Sequence, residues 1–118
     1  MSEASDLQRP LSAVKADLFK ALAHPARVRA LEVLSERESS VGDLQPLVGI
    51  ELSHLSQQLG VLRRAGLVTT RKEGSTVIYA LRDPLVAELL ASAKRLLLVM
   101  LAETRGLLEG LRAEVEVP

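Results

Sequence analysis

Apolar side chains return every three or four positions along most of this chain, and the stretches are separated by proline, serine and glycine. Leu11, Val14, Leu18 and Leu22 fall on one face of a first helix of about three turns. His24-Pro25 ends it, because proline cannot continue a helix and restricts the residue before it. Pro25 suits the first position of a second helix, in which Val28, Leu31 and Leu34 turn inward. Ser39-Ser40 opens a short third helix with Val41, Leu44 and Leu47 apolar, and Gly49 stops it. A fourth begins near Glu51–Ser53, buries Leu55, Leu59 and Leu62, and closes at Gly66, since glycine takes the left-handed conformation without strain.

The period then changes. Leu67–Lys72 and Thr76–Leu81 are β-rich runs around a Glu73-Gly74-Ser75 turn. From Pro84 to about Leu111 helical spacing resumes, with Gly106 and Gly110 weakening the last turns. The predicted fold is mainly α with a two-stranded β-hairpin, in the order α-α-α-α-β-β-α. A helix pair joined by a tight turn and followed by a basic hairpin is a winged helix-turn-helix. One domain spans residues 11–112, with 1–10 read as a flexible N-terminal tail and 113–118 as a frayed C-terminal one.

Composition strengthens the helical expectation: 24 leucines and 14 alanines stand against one Phe and one Tyr, and both Leu and Ala are strong helix formers. There is no cysteine, which removes disulfides, thiolate metal sites and cysteine nucleophiles together. The acidic, polar start Met1–Asp6 is unlike a signal peptide, and the longest apolar run, Leu96–Leu101, is far below the roughly 20 residues of a membrane span. A soluble cytoplasmic protein without membrane contact is expected.

Net charge is zero, yet its distribution is uneven. Residues 1–51 and 83–118 are each net −2, whereas residues 52–82 carry Arg63, Arg64, Arg71, Lys72 and Arg82 against Glu73 alone, net +4. That local footprint suits phosphate binding. On the fourth helix Ser53, Ser56, Gln57, Gly60 and Arg64 share a face away from the leucines. Short hydroxyls and amides there can hydrogen-bond base edges in a major groove, and arginine can hold phosphate or guanine. A solvated polar face, which any surface helix has, is the plainer alternative. The hairpin favours the DNA reading over a charge-protected edge: Arg71 and Lys72 lead into its turn, and Ser75 and Thr76 add neutral phosphate donors.

These same segments resemble the ArsR/SmtB family of bacterial transcriptional regulators. Ala21-Leu22-Ala23-His24-Pro25-Ala26-Arg27-Val28-Arg29-Ala30-Leu31 is similar to the family's opening signature. Leu55 through Val68 is similar to its recognition helix and the exit into the wing, and Arg71, Gly74, Tyr79 and Leu81 match the wing pattern. The resemblance covers about residues 12–103. It implies a homodimeric repressor that binds a pseudo-palindromic double-stranded operator and releases it when an effector binds. Ser53, Ser56, Gln57 and Gln58 would read bases, His54 would contact phosphate or base, and Arg63, Arg64, Arg71 and Lys72 would hold phosphates. Gln58 replaces a histidine common in the family, a change expected to alter base preference.

The effector is where the pattern thins. The cysteine pair by which many family members sense metals corresponds to Ser40 and Gly42 here, and the last helix lacks the histidines of a second family site. The remaining donors are His24, His54, Glu88 and Glu103, a set suited to nickel, zinc or cobalt. His24 reads first as a helix-opening residue. Control by a co-regulator protein, or a DNA-binding regulator with no metal effector, are the alternatives, as is a protein-interaction module that keeps the fold without binding DNA. No phosphate-cradling glycine loop, HExxH or nucleophile elbow is present, so no enzyme is expected. Finally, the apolar residues around 96–101 point in every direction, wider than the roughly 100° stripe a surface helix buries. A dimer interface built on Leu11, Val14, Leu18, Leu97 and Leu101 follows from that excess.

Overall fold

The structure is a computed structural model that describes residues 3–116, with side chains from residue 10 onward. The order of elements is α1 (Glu3–Leu22), α2 (Pro25–Glu36), β1 (Ser39–Ser40), α3 (Val41–Val48), α4 (Leu52–Arg64), β2 (Val68–Glu73), β3 (Thr76–Leu81) and α5 (Pro84–Glu116). The chain falls into two compact units, Met1–Ala87 and Glu88–Pro118.

In the first unit α2, α3 and α4 pack on one another and on the sheet. The core is aliphatic: Leu31, Leu44, Leu55, Leu59, Leu62 and Val68 are fully buried, and small residues such as Ala26 and Ala30 let the helices approach. Short local bonds set the helix ends. His24 caps α2 through Nδ1, which accepts the Ala26 N–H at 3.1 Å, and Pro25 occupies the first helical position. Ser40 Oγ accepts the Asp43 N–H and caps α3. The turn into α4 is fastened by Gln45 Nε2, which donates to the Ile50 carbonyl at 3.0 Å. At the far end of α4, Gly66 has φ +81°, its N–H reaches the Arg63 carbonyl, and Leu67 N–H reaches Leu62. That is a Schellman closure, and it turns the chain into β2 with Leu62 and Leu67 both buried.

β2 and β3 pair antiparallel from Val68↔Leu81 to Glu73↔Thr76, joined by Gly74-Ser75. Positive φ at Gly74 but not at Ser75 is the arrangement of a type II′ turn. The expected two-stranded hairpin is present, and β1 adds a third strand to it, in the order β1-β3-β2. Ser39 and Ser40 pair with Tyr79 and Ile78. Two residues are too few to leave a periodic signal, and the pairing partner lies some forty residues away in the chain.

The two tails also differ from expectation. Residues 3–10 belong to α1 with Pro10 inside it, and 113–116 continue α5. Leu7, Gln8, Arg9, Leu11 and Ala13 around Pro10 are good helix formers, and the helix runs through a proline that costs it a backbone bond and about 3 kcal/mol. Residues 1, 2, 117 and 118 lie outside the described residues. No helix among the described residues is long and apolar enough to cross a membrane.

Leu59→Ala should lower the free energy of unfolding by about 2–5 kcal/mol, the range for a fully buried leucine. Leu52→Ala, at a site 54% exposed, should change it by no more than about 0.5 kcal/mol. Urea denaturation of both variants measures the contrast.

Candidate nucleic-acid interface

α4 sorts its side chains by period. Leu55, Gln58, Leu59 and Leu62 lie on the inward face at spacing i, i+3, i+4, i+7 and are all buried. Ser53, His54, Ser56, Gln57, Arg63 and Arg64 are exposed, and Ser53, Ser56, Gln57 and Arg64 line the opposite side. Glu51, at the start of the helix, makes no side-chain cap. A Cβ at Gly60 would stand 3.2 Å from Arg64 Nη1, the far end of an exposed, flexible side chain that can give way, so nothing in the structure requires a glycine there.

Gln58 does not belong to this exposed surface. It is 9% exposed, and its Oε1 accepts a hydrogen bond from Arg27 Nη1 at 3.1 Å. The expectation that Gln58 reads a base is therefore corrected, because the inward period of α4 carries it to the core. The signal was available in the sequence, since position 58 completes the Leu55, Leu59, Leu62 pattern. Arg27, which sequence reasoning passed over, also donates from Nη2 to the Lys20 carbonyl at 3.3 Å.

On the wing, Arg71, Lys72, Ser75 and Thr76 are all exposed. Arg71 is not free. Its guanidinium pairs with Glu73 at 2.8 Å and with Glu38, just before β1, at 2.5 Å. Both carboxylates, Glu73 foremost, hold it more firmly in the charged form. Its charge is thus offset locally, while Lys72 has no carboxylate partner among the described residues. Nothing in the spacing of Glu38 and Arg71 could have announced the pair.

Of the four metal-donor candidates, His24 and His54 lie side by side in the first unit. His24 uses Nδ1 for the α2 cap, and its ring meets that of His54 edge-on at 6.0 Å between centroids. Glu88 and Glu103 are both on α5, about 22 Å apart along a helix of that rise. No three His, Cys, Asp or Glu side chains among the described residues are grouped to hold an ion. The donor set does not fit a metal within one copy of the chain. The interface candidates behave differently: Leu11, Val14, Leu97 and Leu101 are 56, 65, 55 and 64% exposed, and Leu18 is half-buried.

Comparison with known proteins matches this geometry to regulators. The family described as "Bacterial regulatory protein, arsR family" matches residues 24–70. An uncharacterized HTH-type transcriptional regulator of Mycobacterium tuberculosis, Rv0081, is 54% identical over 105 residues, covering 88% of this chain and 92% of that protein. Its crystal structure superposes with a TM-score of 0.76 over 80% of this chain and 96% of that one. A biofilm growth-associated repressor of Agrobacterium fabrum is 47% identical over 62% of each chain. A homodimeric winged helix-turn-helix DNA-binding domain of Mycobacterium bovis is 30% identical, with a TM-score of 0.77 over 87% of this chain and 95% of that one.

Proposed function

Because the chain belongs to the ArsR family of bacterial regulatory proteins, DNA-binding transcriptional regulators without enzymatic activity, we propose that it is a repressor that binds a pseudo-palindromic operator as a two-fold symmetric dimer. The observation that carries the reading is the division of α4: four buried side chains anchor it, and the opposite face offers Ser53, Ser56, Gln57 and Arg64 outward. Hydroxyls and a carboxamide near the start of the helix suit base edges. Arg63 and Arg64 in its last turn suit phosphates on either side of the groove. Lys72, Ser75 and Thr76 would track the sugar-phosphate backbone from the wing, with Arg71 contributing less because two carboxylates already hold it. The repressor role follows the biofilm growth-associated repressor among the relatives. A dimer bound across an operator blocks the polymerase by occupancy, and no metal step enters this scheme.

The dimer reading rests on exposed apolar side chains. α5 leaves Leu96, Leu97, Leu98, Val99, Met100 and Leu101 each more than half exposed, and α1 separately exposes Leu11, Val14 and Phe19. Water contact on that scale marks an interface rather than a finished surface. The homodimeric M. bovis relative supports a second copy as its cover. Two copies related by a dyad would set their recognition helices about 34–36 Å apart, one turn of DNA.

Operator selection from random duplexes supplies the ligand for three tests. Gln57→Ala should weaken binding to the selected operator by about 1–3 kcal/mol and relax preference at one base pair per half-site. Unchanged discrimination would remove Gln57 from base readout. Lys72→Ala should lower the slope of log affinity against log salt by roughly 0.9 and weaken operator and random DNA alike, with Arg71→Ala doing less. Equal effects of the two would contradict the offset of Arg71 by its carboxylates.

Leu97→Glu or Leu101→Glu should yield a helical monomer that no longer binds the operator. Sedimentation and circular dichroism measure both properties. Loss of helicity in both variants, or a wild-type monomer at micromolar concentration, would contradict the interface.

A further inference from the structure

Arg27 stands where three helices meet. It is the third residue of α2, its Nη1 holds the Gln58 Oε1 on α4 at 3.1 Å, and its Nη2 holds the Lys20 carbonyl at the end of α1 at 3.3 Å. The Nε is buried and has no partner among the described residues. Arg27 is half-buried, so only its Nε is withdrawn from water without a partner, while its two terminal nitrogens are committed to other helices. Its planar fork offers something leucine cannot: two acceptors on different elements held at a fixed separation and angle.

We propose that Arg27 is a positioning residue for DNA recognition, which fixes the rotation of α4 about its axis by clamping Gln58 to the end of α1. The inference rests on the reading of α4 as the helix that enters the groove. Leucine packing alone holds α4 against the core but resists small rotation weakly, because aliphatic contacts are non-directional. A hydrogen bond to Gln58 is directional, and Gln58 directly follows Gln57 in the chain. A rotation of α4 that breaks the Arg27–Gln58 bond also turns Ser53, Ser56 and Gln57 away from the base edges, while the phosphate contacts of Arg63, Arg64 and Lys72, carried on long flexible stems, adapt. Arg27 therefore governs the preference for the operator over other DNA more than affinity for DNA as such. It also makes the setting of α4 depend on where α1 ends.

The test compares affinity for the selected operator with affinity for random duplex DNA at one salt concentration. The variants are Arg27→Lys, Gln58→Leu, Gln58→Glu and the double variant Arg27→Lys/Gln58→Leu. Arg27→Lys keeps the charge but loses the fork, and Gln58→Leu changes no charge. Each should lower the operator-to-random ratio by about tenfold or more, the scale of a lost base contact, with affinity for random DNA nearly unchanged. Gln58→Glu keeps an acceptor at the same reach and should retain the ratio. The double variant should be no worse than the weaker single one, because both remove the same bond. Thermal unfolding followed by circular dichroism identifies any variant that does not fold, and the remaining members still decide the question. Parallel losses on operator and random DNA would mean a merely structural role and overturn the inference. So would a ratio equal to wild type in Arg27→Lys and Gln58→Leu, with the operator preference of the wild type leaving the reading of α4 intact. A wild-type protein with no operator preference would overturn that reading and the inference together.

Discussion

The structure turns on how α4 is seated. Leu55, Leu59 and Leu62 have no exposure to solvent, and they close a core with Leu31 of α2 and Leu44 of α3 in which no aromatic ring takes part. Each fully buried leucine is worth about 1.5–3 kcal/mol relative to exposure, so the inward face of α4 is fixed by several kcal/mol. Helical geometry then decides which side chains make up the opposite face. Ser53, Ser56, Gln57 and Arg64 are presented because the leucines are not, and the Schellman closure at Gly66 delivers the chain into the wing from a helix already held.

Two polar arrangements refine that seating. Inside, the Arg27–Gln58 bond adds direction to a core that otherwise has little. Outside, Arg71 is tied to Glu38 and Glu73, so the wing is linked to the segment before α3 by an exposed ion pair. Exposed pairs contribute little stability. The consequence lies in charge: Arg63, Arg64, Lys72 and Arg82 have no carboxylate partner among the described residues, whereas Arg71 has two. Three of those four cations, Arg63, Arg64 and Lys72, lie on α4 and the hairpin.

Much of this was legible before the structure. The helical periods of α2 and α4, the proline and glycine boundaries, and the change to strands after Gly66 are local signals, and local signals survive in a sequence. So is the exposed apolar excess of α5, since a run of six apolar residues cannot fit one stripe. Gln58 was misplaced because its neighbours Ser56 and Gln57 face outward, although the period of the leucines carries it inward. β1, the bond from Arg27 and the Glu38–Arg71 pair depend on residues some thirty or forty positions apart. Only the folded chain brings these together, and no spacing rule announces them. For the metal donors, the residue types are legible in the sequence, but not that the fold gives His24 to a helix cap and spaces Glu88 and Glu103 along one helix.

Hydroxyl-radical footprinting of the wild-type dimer on its selected operator measures the central claim, that α4 enters the major groove once per copy. The account predicts two protected half-sites related by a dyad, about 10–10.5 base pairs between centres, with protection fading as salt rises from about 50 to 200 mM. A single protected half-site, or a uniform pattern without half-sites, would contradict it.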